Sequence, residues 1–267
     1  MGQFVKVEPE VKLFVEDIGE GQPIIFIHGW PVNHKMFEYQ MNLLPQKGYR
    51  FIGIDLRGFG QSDKPAYGYD YNTLAHDIHM VVEALDLQDF FLAGFSMGGP
   101  ISIRYATKYA TDSLKQLILM GAAAPSFTQR DGYSLGMKKE EVDGLIGAIE
   151  NDRPAAIADF GSNFFHTDVS DELAYWFHGL AMQASAHATI ACAKSLRDED
   201  LRNELSEIKV PTLLMHGKHD QICDYEFSVE LNEHIQDSTF VTFENSGHGL
   251  VYDEKDKCNE VLLNLLA

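Results

Sequence analysis

The feature that most narrows the possible folds is a series of short, uninterrupted apolar runs separated by helix-like segments. Pro23–Ile27, Phe51–Ile54, Phe90–Ala93, Leu117–Met120, Pro211–Met215 and Thr239–Phe243 each hold four or five mostly apolar residues in a row. Strands that bury one face alternate apolar with polar residues, whereas continuous runs of this length suit strands covered on both faces, as in a parallel sheet. Between them, Asn72–Leu85, Met97–Lys108 and Tyr225–His234 read as helices. Strand–helix alternation implies a mainly parallel sheet with helices on both sides. Ahead of it, Phe4–Val7 and Val11–Val15 alternate, and Glu8-Pro9-Glu10 offers a turn, so the chain starts with an antiparallel pair.

One stretch breaks the rhythm. From Ala124 to Leu205 only helical patterns occur, with Phe127, Phe160, Phe164, Phe165, Trp176, Phe177 and Met182 among them. This reads as a helical cap inserted after the strand that ends near Gly121. The expected division is a core segment over 1–123, the cap over 124–205 and a second core segment over 206–267. The length of 267 residues suits one α/β domain with such an insertion.

Charge and cysteine content exclude several classes of function. Forty acids against 21 bases give a formal net charge of −19, which repels phosphate backbones and anionic lipid. Nucleic acid and membrane surfaces are therefore not expected partners, and no apolar stretch is long enough to span a bilayer. Cys192, Cys223 and Cys258 are odd in number and widely spaced, which speaks against a disulfide framework or a cysteine-rich zinc site. The start Met1–Lys6 carries no basic-then-apolar signal, so cytoplasmic residence is expected. A homo-oligomer is compatible with everything above.

The chemistry-bearing residues sit at the ends of the apolar runs. Gly94-Phe95-Ser96-Met97-Gly98 follows one run and opens a helical segment. A serine on such a tight strand-to-helix turn presents its hydroxyl at a helix N-terminus, where developing negative charge is favoured. A hydroxyl is a weak nucleophile until a base takes its proton. In sheets carrying this elbow, the acid and then the base follow the serine along the chain. His248, between Gly247 and Gly249 just beyond Thr239–Phe243, is the expected base. Asp220, just past Pro211–Met215, is the expected acid that fixes the tautomer of His248, with Asp224 as its nearest rival. Two backbone N–H groups are expected to hold an oxyanion: that of Met97, and that of Trp30 in His28-Gly29-Trp30-Pro31, since Pro31 has none to give. Such a donor is worth roughly 3 kcal/mol in a transition state. His28 reads as a buried brace for that loop.

Taken in order, His28-Gly29-Trp30, Asp55-Leu56-Arg57-Gly58-Phe59-Gly60-Gln61-Ser62, Gly94-Phe95-Ser96-Met97-Gly98-Gly99 and His216-Gly217-Lys218-His219-Asp220-Gln221-Ile222 resemble the cofactor-free haloperoxidase and arylesterase group of bacterial α/β-hydrolases over nearly the whole length. The resemblance implies the α/β-hydrolase fold and no cofactor or metal. It also implies hydrolysis of small carboxylic esters through an acyl-enzyme, with perhydrolysis as a side activity. Pro31 after Trp30 resembles the arrangement in the more perhydrolytic members. By the same resemblance Trp30, Pro31, Phe127, Phe160, Phe164 and Ile222 line the acyl pocket; ordinary packing under the cap would explain the aromatic ones equally. Cys223-Asp224 departs from the Val-Pro of many relatives and puts a thiol near the acid loop.

Other readings stay open. Dehalogenases and epoxide hydrolases share the His28–Pro31 pattern but need an aspartate where Ser96 stands. A carbon–carbon bond hydrolase could use the same three residues, since fold and triad do not fix the substrate. His216, His219 and Asp220 could suggest a metal set, but no His-x-His-x-Asp-His or His-Glu-x-x-His stretch occurs. A non-catalytic ligand binder on this fold would typically have lost one of the three residues.

Overall fold

The structure is a computed structural model and describes residues 2–266, so Met1 and Ala267, the outer bounds of the two expected core segments, lie outside the described residues. Eight strands form one sheet: β1 (Gln3–Glu8), β2 (Val11–Ile18), β3 (Gln22–Ile27), β4 (Tyr49–Ile54), β5 (Phe90–Phe95), β6 (Leu114–Met120), β7 (Thr212–Gly217) and β8 (Ser238–Phe243), in the spatial order β1-β2-β4-β3-β5-β6-β7-β8. β1 and β2 pair antiparallel, β2 meets β4 antiparallel, and every later pairing is parallel. The expected antiparallel start and parallel body are thus both present.

Why the middle strands are continuous in sequence is visible in their burial. All six residues of β5 and all six of β7 are buried. A large apolar side chain moved out of water contributes about 2 kcal/mol, so these runs dictate both where the sheet lies and that helices cover its two faces. The helices are α1 (Glu38–Leu43), α2 (Tyr71–Ala84), α3 (Gly98–Lys108), α4 (Lys139–Gly161), α5 (Asp171–Met182), α6 (Ala186–Asp198), α7 (Tyr225–His234), α8 (Leu250–Asp253) and α9 (Lys255–Leu266). Caps set several boundaries: Asp70, Ser170 and Ser185 each accept the backbone N–H three residues on, at the starts of α2, α5 and α6.

Between β6 and β7 the chain runs through α4, α5 and α6, with no named strand among the described residues. Two isolated bridges, Thr128–Met137 and Arg130–Tyr133, shape an irregular excursion ahead of α4. α4 is interrupted at Asp152, whose backbone is non-helical and whose Oδ1 accepts Ala155 N at 3.2 Å as a cap on the second stretch, where Pro154 in the first turn has no N–H to leave unpaired. Among the described residues no helix is long and apolar enough to cross a membrane.

The Asp55–Ser62 segment after β4 is an interior brace. Arg57 is fully buried and bonds Asp77 of α2 through both Nε and Nη2, at 2.6 Å each, and Glu8 of β1 at 2.6 Å. A buried guanidinium is tolerable only when paired in this way. The pairing ties α2 and the edge of the sheet to the loop that backs the site.

Candidate active site

Ser96 stands between β5 and α3 with φ at +51°, a left-handed conformation that non-glycine residues rarely adopt. The surrounding backbone holds it there. Ser96 N donates to Met120 O at 3.0 Å, and Ser96 O accepts from Gly99 N at 2.9 Å and Ala123 N at 3.1 Å. The glycines of the motif serve close approach. A Cβ on Gly94 would lie 2.3 Å from the Gly98 carbonyl oxygen, and one on Gly98 would lie 2.3 Å from that of Ile27. Only bare backbone lets the turn fold this tightly against β3.

Asp220 and His248 meet across the ends of β7 and β8. His248 Nδ1 lies 2.7 Å from Asp220 Oδ2, and both side chains are buried. The loops are fastened to each other by backbone bonds from Lys218 N to Phe243 O at 2.8 Å and from His219 N to Ser246 O at 2.9 Å. A Cβ on Gly217 would fall 2.0 Å from Gly247 O, so the strand end must be glycine for the loops to close.

The carboxylate has four donors. Oδ1 accepts from Ile222 N at 2.8 Å and Cys223 N at 2.9 Å, while Oδ2 also lies 3.1 Å from His216 Nε2. His216 Nε2 is 3.0 Å from Cys223 O and its Nδ1 is 2.7 Å from Ser228 Oγ. Two oxygen acceptors at Nε2 assign the proton there, so the Ser228 hydroxyl donates to Nδ1. Burial alone would raise the Asp220 carboxyl, but the charge of His248 and the bonds from His216 and His248 outweigh it and hold the group well below the usual carboxylate range. Asp220 is thus an anion throughout the neutral range. Asp224, its rival in sequence, is engaged elsewhere: its Oδ2 accepts Gly136 N at 2.7 Å and ties the irregular excursion to the acid loop.

Cys223, on the Asp220 loop, is fully buried. Burial and the charge of Asp220 push its thiol well up, a hydrogen bond from Ser96 working the other way, so it is a neutral thiol. All three cysteines are free.

The His28–Pro31 loop lies against the serine: a Cβ on Gly29 would sit 2.8 Å from Ser96 Cβ. Among the described residues, neither Trp30 N nor Met97 N donates to an internal acceptor. The Trp30 indole is fixed separately, with Nε1 donating to Thr189 O at 2.9 Å. His28 is fully buried, with Nδ1 2.9 Å from Gly29 O and Nε2 accepting Leu56 N at 3.0 Å. Beside it, His34 Nδ1 lies 2.7 Å from Asp55 Oδ1, which also accepts His34 N. His28 is a brace, as its sequence position suggests.

A cavity of about 450 Å³ opens beside these residues, between the sheet end and helices α4 and α5. Of the residues that the resemblance assigns to the acyl pocket, Trp30, Pro31, Phe160 and Phe164 line this cavity and Phe127 and Ile222 do not. Phe127 is instead packed in the core under the excursion, where its carbonyl accepts Met137 N. Residues that sequence reasoning did not select include Phe95, Ile157, Phe165 and Phe177. Ala174, Phe177, His178 and Ala181 all line the cavity at helical spacing, which is the signal in α5 that could have found them. Phe164 lies between the cavity and His248, its ring edge-on to that of His248 at 5.4 Å. Among the described residues, one group of three possible metal ligands lies close together, Glu230, Glu233 and His234 at the end of α7, and none of these is a site residue.

The brace carries a pH signature. Burial lowers His28 to about 4 from an ordinary 6.5, so between those values the unfolded chain binds a proton that the folded one refuses. Stability is complete above pH 6.5 and is lost as the pH falls towards 4, by about 3 kcal/mol from this group. Urea unfolding across that range should show His28→Gln losing correspondingly less stability than the unaltered chain; equal losses would contradict the buried neutral imidazole.

Comparison with known proteins follows the same lines. The AB hydrolase superfamily protein YisY of Bacillus subtilis is 54% identical over 262 residues, covering 98% of each chain. The solved structure of an esterase from Exiguobacterium antarcticum superposes with a TM-score of 0.98 at 50% identity, covering 99% of both chains. A bromoperoxidase from Bacillus anthracis does so with a TM-score of 0.96 at 32% identity, covering 100% of this chain and 99% of that one. The family model for the alpha/beta hydrolase fold matches residues 22–255, and the chain belongs to that family.

Proposed function

We propose that the protein is a serine esterase that cleaves small carboxylic esters through an acyl-enzyme, with Ser96 as nucleophile, His248 as base and Asp220 as the acid orienting the base. The observation that carries this reading is the buried Asp220–His248 pair at 2.7 Å beside a serine held at φ +51° on the elbow. Similarity to the Exiguobacterium esterase and the Bacillus bromoperoxidase supports the substrate class and the side activity.

With Asp220 ionised and bonded to Nδ1, His248 carries its proton on Nδ1 and offers Nε2 as base. Attack requires the Ser96 hydroxyl to face Nε2 of His248. The hydroxyl proton then passes to Nε2 as Ser96 Oγ bonds the carbonyl carbon, and the imidazolium formed is stabilised by Asp220. The oxyanion is received by Trp30 N–H and Met97 N–H, both without an internal acceptor among the described residues. His248 returns the proton to the departing alcohol. Water, deprotonated by His248, releases the acid and restores Ser96. Hydrogen peroxide in its place releases a peracid, which oxidises halide to hypohalous acid and is itself reduced to the carboxylic acid.

The region over 124–205 acts in this account as a cap, contributing the aromatic wall of the cavity. A volume of about 450 Å³ lined largely by apolar side chains suits a small apolar acyl or aryl group. The net charge of −19 disfavours polyanionic partners, and three free cysteines suit a reducing compartment.

Turnover of p-nitrophenyl esters from acetate to octanoate should be fastest for the short ones and should fall by about three orders of magnitude or more in Ser96→Ala with the fold intact. Substantial remaining turnover by the purified variant would overturn the assignment; labelling of Ser96 by a fluorophosphonate without ester cleavage would keep the activated serine and overturn the substrate class. A second outcome concerns the side activity. Pro31 lines the cavity next to Trp30, and Pro31→Leu should lower the ratio of perhydrolysis to hydrolysis, measured as peracid against acid from one ester. An unchanged ratio would remove Pro31 from the account of peroxide use.

A further inference from the structure

Asp253, the last residue of α8, takes no part in the chemistry above, yet its carboxylate accepts four hydrogen bonds from two separate segments. Oδ2 accepts Gly247 N at 2.9 Å, from the residue directly before His248, and His166 N at 3.0 Å. Oδ1 accepts Thr167 N at 3.0 Å and Thr167 Oγ1 at 2.6 Å. Gly247 belongs to the loop that carries the base, whereas His166 and Thr167 belong to the segment between α4 and α5. That second segment supplies cavity wall: Phe164, Phe165, Thr167, Asp168 and Val169 all line it.

The same two segments meet at further points. Gly249 N donates to Phe164 O at 2.7 Å, so of the two residues flanking His248, Gly249 is bonded to the cavity wall directly and Gly247 through Asp253. The His166 ring stacks on that of His219, neighbour of Asp220, with centroids 4.0 Å apart and planes 13° from parallel. Glu254, next along the chain, provides an internal contrast. Its Oε2 accepts Asn245 N at 2.9 Å and Ser246 Oγ at 2.7 Å, so it steadies the base loop and does not reach the cavity wall.

We propose that Asp253 is a positioning residue that locks the cavity wall and the His248 loop into one unit, so that the placement of the acyl group and the aim of the base are set together. The inference rests on the esterase reading for its consequences in turnover. The chemistry suits the role: one carboxylate oxygen shared by donors from both segments fixes their separation, and four N–H or O–H donors leave an anion well satisfied without a cation. Asparagine is nearly the same shape, but one of its two terminal atoms is an NH₂ group. It can therefore serve one pair of donors and must oppose the other.

Hydrogen exchange of the purified full chain tests the coupling directly, and kinetics test its consequence. In Asp253→Asn, segments 162–170 and 245–249 should both exchange faster, while in Glu254→Gln only 245–249 should. With p-nitrophenyl acetate and butyrate, Asp253→Asn should lower kcat about tenfold and raise KM, because misplacement on the scale of an ångström costs this much or more. Adding Thr167→Val to Asp253→Asn should cost little beyond Asp253→Asn alone, since both act through one contact. Exchange rising in only one segment, or in neither, would overturn the proposal. So would faster exchange in both with kcat and KM unchanged, which would make Asp253 structural only. A wild-type chain that neither cleaves esters nor labels at Ser96 would instead overturn the esterase reading, and the exchange arm, which needs no turnover, would still decide whether Asp253 joins the segments.

Discussion

The hydrogen-bond shell of Asp220 is what the rest of the site depends on. A carboxylate with no exposed surface would be expected to take up a proton, and a neutral Asp220 would neither fix the tautomer of His248 nor stabilise its cation. Four donors prevent this: two backbone N–H groups at Oδ1, and His248 and His216 at Oδ2. His216 is placed for the task by Ser228, which accounts for a second buried histidine so near the first. The loop from Gly217 to Cys223 has the shape needed to fold around this one anion. Its tight approach to the Gly247 carbonyl, possible only for glycine at 217, then brings His248 within reach.

The sheet supplies the geometry that such a shell requires. Ser96, Asp220 and His248 follow β5, β7 and β8 respectively, at the end of the sheet where open parallel structures gather their sites. Because β5, β6, β7 and β8 are neighbours in register, three residues far apart in the chain arrive at one edge without long loops. Ser96 is bonded to Met120 O at the end of β6, and Gly121 N to Met215 O on β7, so the elbow is fixed by the strands beside it. A strained φ at Ser96 persists because the surrounding backbone allows nothing else.

Much of this was legible in the sequence, for identifiable reasons. Strands buried on both faces must be apolar throughout, so Phe90–Ala93 and Pro211–Met215 stand out; the antiparallel start alternates because its outer face is wet. Ser96 and His248 stand out because backbone crowding forces glycine around them, and glycine is visible in a way that crowding is not. What remained hidden depends on pairings between distant segments. The contact of His216 with Asp220 looks in sequence like a fragment of a metal site. The burial of Cys223 follows from loop shape, and the cavity lining from α5 follows from where that helix comes to rest. Phe127 shows the same limit from the other side: an aromatic in the right region of the chain is packed into the core, while Phe165 and Phe177 face the cavity.

The central claim is that this serine, histidine and aspartate carry out acyl transfer, and the acyl-enzyme itself is its most direct witness. Acid quenching during turnover of p-nitrophenyl acetate, followed by mass analysis of the intact chain and its peptides, reads that species directly. The account predicts one added acetyl group, located on Ser96 and lost as substrate is exhausted. Turnover proceeding with no adduct, or with the acetyl group on another residue, would contradict it.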